Sequence, residues 1–254
     1  MLSIFSQVVL LIFIYMSVIF LVAMLKKDNG IVDIAWGIGF ILVAWLCYDM
    51  TQEVSARKLL INFMVTIWGS RLAIHIFLRS RGKGEDFRYK NWRREWGDTF
   101  VWRSFLQVFM LQGFFMFIVS LPVIMTNASS SPMLHGPDFF ALFLFIVGFY
   151  FEAVSDYQLA EFKKNPANKG KIMTKGLWRY SRHPNYFGES LIWWGIFVLS
   201  LQAIFPYISI ISPIVMTWLL TRVSGVPMLE AKYKKNPQYK KYAEETSAFV
   251  PRFW

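Results

Sequence analysis

The chain has 254 residues, of which 56% are hydrophobic and 19% aromatic, with a formal net charge of +11. Several of its apolar stretches reach the roughly 20 residues that a helix needs to cross a bilayer, which argues against a soluble fold. The basic residues fall in blocks between apolar stretches rather than along one soluble face, so anionic headgroups or an anionic cofactor are the expected partners, not nucleic acid. Cys47 is the only cysteine, which rules out an intramolecular disulfide and a multi-cysteine metal or redox site.

The first apolar run, Leu2 to Leu25, has no basic residue before it and no small-residue cleavage site after it. It reads as a membrane span rather than a leader. Spans are predicted at about 3–25, 31–49, 58–78, 104–126, 138–157, 187–204 and 207–223, seven in all. Phe205-Pro206 divides the last two, because proline lacks a backbone donor and fixes its own φ. The connection from Thr126 to Asp138, with its Ser129-Ser130-Ser131-Pro132 run, reads as a short polar loop. Lys and Arg gather in the first, third and fifth connections and in the tail; the fourth and sixth connections have none, and the second has Arg57 and Lys58. That asymmetry puts the amino terminus outside and the carboxyl terminus in the cytoplasm. The expected architecture is an all-α integral membrane protein, a seven-helix bundle forming one domain over residues 1–254.

Ionisable residues inside spans are costly, so they tend to face the bundle interior and to carry function. Asp33 lies early in span two. Arg71, His75 and Arg79 follow one another at one-turn spacing on one face of span three, and Glu152 and Asp156 do the same near the end of span five. Glu189 opens span six and Arg222 closes span seven. As a set, Asp33, Arg71, Glu152 and Asp156 point to a shared polar cavity. Arg79 and Arg222, at span ends, fit an interfacial role equally well, with long side chains reaching the headgroups. Only three histidines are present, one of them, His135, in an outer connection, so no metal site is expected. No glycine-rich phosphate loop of a familiar kind occurs, and a dinucleotide would have to bind by another geometry. Trp92, Trp96 and Trp102, interleaved with Arg88, Lys90, Arg93 and Arg94, read as a basic amphipathic stretch on the inner surface.

The most informative stretch runs from Lys175 through Gly176, Trp178, Arg179, Tyr180, Arg182, His183-Pro184, Asn185 and Tyr186 to Glu189. Gly176 permits a tight turn, His183-Pro184 interrupts the local helix, and Asn185 and Glu189 then fall one turn apart. Arg179, Arg182 and His183 offer donors to phosphate, Tyr180 and Tyr186 can stack on a flat ring, and the amides opening the following helix favour an anion.

This stretch resembles the carboxyl-terminal domain of the steroid 5-alpha-reductase family, and the whole chain looks like its bacterial-type DUF1295 branch. Ser155-Asp156-Tyr157 followed by Lys163-Lys164, the Trp68-Gly69-Ser70-Arg71-Leu72 run, Arg222 to Glu230 and the closing Ser247-Ala248-Phe249-Val250-Pro251 are similar to that branch as well. The resemblance implies NADPH as cofactor and a membrane reductase that transfers hydride to the conjugated carbon-carbon double bond of a steroid-like or other lipid enone. It places the cofactor mainly in residues 150–254, with contributions from 68–95. Asp156, Lys163, Tyr180, Arg182, His183, Asn185 and Tyr186 would contact it, joined by Arg71, His75, Arg79 and Arg222. Glu189 would stand near the reacting carbonyl. Asp33 is the nearest counterpart to the family's acid on span two, and Trp68 stands where a catalytic tyrosine is expected on span three. A bacterial inner membrane is the expected location.

Two other readings stay open. Isoprenylcysteine carboxyl and phospholipid methyltransferases share an Arg-His-Pro-x-Tyr segment, matched by Arg182 to Tyr186, and a later glutamate, matched by Glu230. Their cofactor is S-adenosylmethionine, a cation; the surplus of Arg and Lys here favours a cofactor with several phosphates. The other reading is a sterol- or lipid-binding membrane protein without catalysis.

Overall fold

A computed structural model describes residues 2–51, 53–129, 133–203 and 205–253, with the backbone alone at Lys232. Ser130, Ser131 and Pro132 of the expected polar loop lie outside the described residues. Among those described, all regular structure is helical. Among the described residues six helices are long and apolar enough to cross a membrane, and the chain is accordingly an integral, multi-pass membrane protein. The sixth span expected from the sequence, 187–204, is a helix of 16 residues, Pro184–Leu199, which continues into a 3-10 turn at Ser200–Gln202. The fourth also differs. Its helical path starts at Phe87 and reaches Val119, so the Trp92 to Arg94 stretch belongs to the start of that path. The charge of this first part hides it from a hydropathy reading.

The chain forms two compact units, one of Met1–Leu134 with Ser200–Ile211 and one of His135–Leu199 with Ser212–Trp254. The first holds α1 (Leu2–Lys26), α2 (Ile31–Asp49), α3 (Ala56–Ser80), α4 (Phe87–Trp96) and α5 (Phe100–Arg103). A π-helical stretch, Ser104–Met110, leads on to α6 (Leu111–Val119) and α7 (Leu121–Asn127).

In α1 the buried residues Ile4, Val8, Ile12 and Met16 recur every fourth position, while Leu10, Phe13 and Leu21 are exposed. One stripe packs on protein and the rest is left for lipid. Between α2 and α3 the backbones meet at two glycines: a β-carbon on Gly37 would lie 2.3 Å from the Gly69 carbonyl oxygen. Small residues at this level let the helices close together without a hydrophobic driving force between them. Just beyond, Phe40 packs edge-on to Trp68 with centroids 5.4 Å apart. Polar groups in this unit find one another. Asn62 and Asn127 exchange amide hydrogen bonds of 3.0 and 3.3 Å, and the buried Arg57 donates to the carbonyl of Met133 and to Gln202.

The second unit holds α8 (Gly136–Lys164) and α9 (Pro184–Leu199). It continues with α11 (Ile211–Trp218) from Ser212 on, then α12 (Val226–Tyr233) and α13 (Pro237–Glu245). The short α10 (Pro206–Ser209) belongs to the first unit. Helices α8 and α9 run against each other along their length, again through glycine. A β-carbon on Gly188 would sit 2.4 Å from the backbone nitrogen of Glu152, and one on Gly195 2.8 Å from the Ala141 carbonyl oxygen. A hydrogen bond of 2.7 Å between Ser190 and Thr217 ties α9 to α11.

Candidate functional site

The second unit gathers polar chemistry in three adjoining places. Where α8 and α9 touch at Gly188, the α8 residues Glu152, Ser155 and Asp156 come against the first turns of α9. Glu152 is 2% exposed, Asp156 7% and Glu189 9%. Asn185 donates to the Asp156 carboxylate at 3.2 Å, and its own carbonyl oxygen is buried without a hydrogen-bond partner. Burial of this kind is expensive unless the groups are satisfied or put to use. The buried acids singled out on spans five and six thus flank the close approach of α8 and α9 that Gly148 and Gly188 permit.

The second place is a clamp between the motif and the tail. Arg182 donates through Nε and Nη2 to one Glu230 oxygen at 2.9 and 2.8 Å. Its Nη1 donates to the carbonyls of Ala243 and Thr246, each at 2.8 Å. Its backbone N–H donates to Ser247, that of Arg252 donates to Tyr180, and the Ser181 hydroxyl donates to Phe249. Tyr242 donates to the backbone carbonyls of Trp178 and Ser181. The planar guanidinium fork suits this task, since it reaches a carboxylate and two carbonyls at once. His183, 3.4 Å from Glu230, stacks on Tyr186 with centroids 5.6 Å apart. Burial pushes the His183 pKa down to about 4, against the opposing pull of the Glu230 carboxylate, so the ring is neutral at pH 7. Burial likewise raises the Tyr239 phenol to about 12, helped by the negative charge of Glu230.

The third place is a cavity of about 580 Å³ between the motif and the tail. Arg179 and Tyr180 form one wall; Lys241, Tyr242, Arg252 and Phe253 of the folded-back tail form the other, with Glu245 the acid at the rim. Gly176 supports the first wall. Its φ of +63° would strain any other residue, and a β-carbon there would come within 2.5 Å of the Gln158 side-chain oxygen. The Tyr180 and Phe253 rings lie 4.9 Å apart, and the Arg179 guanidinium lies 6.0 Å from the Tyr180 ring centre.

The residues expected to hold a cofactor divide between these places. Tyr180 lines the cavity, whereas Arg182 and His183 belong to the clamp and Asp156 and Asn185 to the α8–α9 contact. Lys163 is exposed on the last turn of α8, and Arg222 is exposed in the π-helical stretch Leu219–Val223. The remaining expected residues are in the first unit. There the Asp33 carboxylate is taken by Arg88 and by the Tyr89 hydroxyl, which anchors α4 to the start of α2. Trp68 is fully buried against Phe40. Arg71 and His75 are half-buried and Arg79 is exposed. Asp86 caps α4; burial would raise its pKa, but hydrogen bonds from Arg88 outweigh this and hold it below the usual carboxylate value. The sequence reading did not pick out Lys241, Tyr242, Arg252 or Phe253. One trace was present: Tyr239 and Tyr242 sit three apart on the inner face of an otherwise polar helix.

Helices that can span a bilayer, buried acids and a clamped motif define a polytopic membrane protein with a built polar site in its second unit. The chain belongs to the family described as a protein of unknown function, DUF1295, whose model matches residues 19–246; the family is associated with steroid 5-alpha-reductase-like proteins. An uncharacterized protein of Schizosaccharomyces pombe is 27% identical over 96% of this chain and 78% of its own length. A probable O-methyltransferase of Ustilaginoidea virens is 51% identical over 43 residues, 17% of this chain and 15% of its own. No solved structure matches.

Proposed function

We propose that the chain is a membrane reductase, dependent on NADPH, that reduces the conjugated carbon-carbon double bond of a lipid-like enone. The observation that carries this reading is the cavity beside the motif. Its volume of about 580 Å³ falls within the usual 300–1,000 Å³ or so of small-molecule sites. Arg179, Lys241 and Arg252 give it three cations against one acid, and Tyr180, Tyr242 and Phe253 give it rings. Several phosphates ask for those cations, whereas S-adenosylmethionine, with its net positive charge, asks for acids; the rings suit either cofactor. Arg182 serves by holding the tail wall in place.

NADPH, when bound, supplies the hydride. The chain's residues hold the phosphates, exclude water and steady the conjugated oxygen as negative charge gathers there. Glu189, buried at the head of α9, is the residue we assign to that oxygen, with Glu152 and Asp156 beside it. A lipid substrate enters from the bilayer, and the protein lies in a bacterial inner membrane. Seven crossings follow if α9 counts as one. Its 16 residues rise about 24 Å, and the turn at Ser200–Gln202 brings the total near the ~30 Å of a hydrocarbon core. The amino terminus then lies outside and the tail in the cytoplasm.

The methyltransferase reading has one observation in its favour, the short stretch shared with the probable O-methyltransferase, and the buried acids would suit a sulfonium. The test is Glu189→Gln in purified protein. A reductase whose donor is Glu189 keeps NADPH affinity and loses turnover of enone lipids; full turnover would remove Glu189 from the chemistry.

A further inference from the structure

The lysines at one end of the second unit have no place in the clamp or, Lys241 apart, in the cavity. They fall in two stretches, 163–175 and 231–241, each with five lysines and neither acid nor arginine. All four arginines of the unit, Arg179, Arg182, Arg222 and Arg252, lie elsewhere. The two stretches share one end of the unit: the backbone N–H of Ile172 donates to Gln238 at 3.3 Å, and Arg182, a few residues beyond the first stretch, grips Glu230 just before the second. Lys169, Lys171 and Lys175 are exposed, as are Lys234, Lys235 and Lys240, and none of these six makes an ion pair with a described residue. Both stretches adjoin membrane-crossing helices, the first following α8 and the second following Pro206–Ala231.

Choice of residue separates the two kinds of cation. Arginine's fixed fork recognises a particular carboxylate, carbonyl or phosphate, and here it is used in the clamp and at the cavity. Lysine is a compact charge on a flexible stem, suited to a diffuse anionic surface that offers no fixed geometry. A polybasic segment directly beside a span sits within a Debye length of the headgroups, where each lysine is attracted to anionic lipid. We propose that these two stretches form a single surface that binds the anionic headgroups of the surrounding bilayer, pinning the ends of α8 and α12, and with them the tail wall of the cavity, to the membrane.

The test is lipid selectivity measured with spin-labelled phosphatidylglycerol and phosphatidylcholine. Full-length protein is reconstituted in an equal mixture of the two unlabelled lipids, and the motionally restricted fraction of each label is read. The expected result is a preference for phosphatidylglycerol of about threefold that disappears in molar salt. In K169Q/K171Q/K234Q/K235Q/K240Q the excess preference falls by half or more, with melting in pure phosphatidylcholine unchanged. A smaller fall, or a wild-type preference that survives molar salt, overturns the proposal. So does a surface that ignores phosphatidylglycerol and binds an added acidic polypeptide instead.

Discussion

The two units place their arginines differently. In the first, carboxylates near α4 are matched by arginines: Asp33 with Arg88, and Glu85 with Arg93 through two hydrogen bonds. Each pair fastens a loop or helix end. In the second, one arginine is spent on the clamp, while Arg179, Lys241 and Arg252 face a cavity without an ion pair to any described residue. Charge that is matched inside the protein marks structure, and charge aimed into space marks a site. The glycines carry the same lesson. Gly37 and Gly69 bring α2 and α3 together over an apolar filling of Phe40 and Trp68, whereas Gly148 and Gly188 bring α8 and α9 together over three buried acids.

The sharpest way to break the contrast is to remove the clamp. Arg182→Met strips Glu230 of its partner and frees the two carbonyls, which is expected to cost about 1–3 kcal/mol. Amide exchange across residues 243–252 should accelerate strongly, and NADPH binding should vanish with it. The equivalent cut in the first unit, Arg88→Met, should loosen α4 and leave NADPH affinity intact.

Smaller effects on function follow from the glycines. Gly188→Ala and Gly37→Ala each force a β-carbon onto backbone and should cost about 1–3 kcal/mol in thermal or chemical unfolding. Only the first should also change turnover, because it displaces Glu152 and Glu189. Smaller again, Lys241→Gln and Arg252→Gln should each weaken NADPH about tenfold with the fold unchanged, an effect titration at low and high salt would check.

The smallest expected effect is on pH dependence. The His183 pKa is lowered from 6.5 to about 4 in the folded protein, so the unfolded chain binds the extra proton more readily. The neutral ring's contribution is complete above about pH 6.5 and is lost as pH falls toward 4. Melting temperatures recorded across that window should fall more steeply for the wild type than for His183→Gln.

Much of this was visible in the sequence. Apolar runs of about 20 residues located most of the membrane helices, because hydropathy acts over a whole span. The stretch from Phe87 reads in the sequence as an amphipathic segment on the inner surface rather than as the start of the fourth helical path, since Arg88, Lys90, Arg93 and Arg94 depress its hydropathy, and what satisfies Arg88 is Asp33, 55 positions away. In the site, the motif from Gly176 to Glu189 was legible because turn glycine, proline and one-turn spacing are local signals. The tail was legible as part of the cofactor region but its individual contacts were not, for Lys241 and Arg252 resemble ordinary juxtamembrane charge until the chain folds back. Arg182 teaches the same point: its residue type suits phosphate, and only the partners brought up by the tail show it holding carbonyls and Glu230.

Whether the tail and motif hold a phosphate-bearing nucleotide cofactor is tested most directly by thermal stabilisation of the purified protein with NADPH, NADH and S-adenosylmethionine, since a ligand that binds the native state alone raises apparent stability. Stabilisation by NADPH, reduced in Lys241→Gln and Arg252→Gln, is the expected result. Stabilisation by S-adenosylmethionine alone, unaffected by those two substitutions, would contradict it and make the chain a methyltransferase.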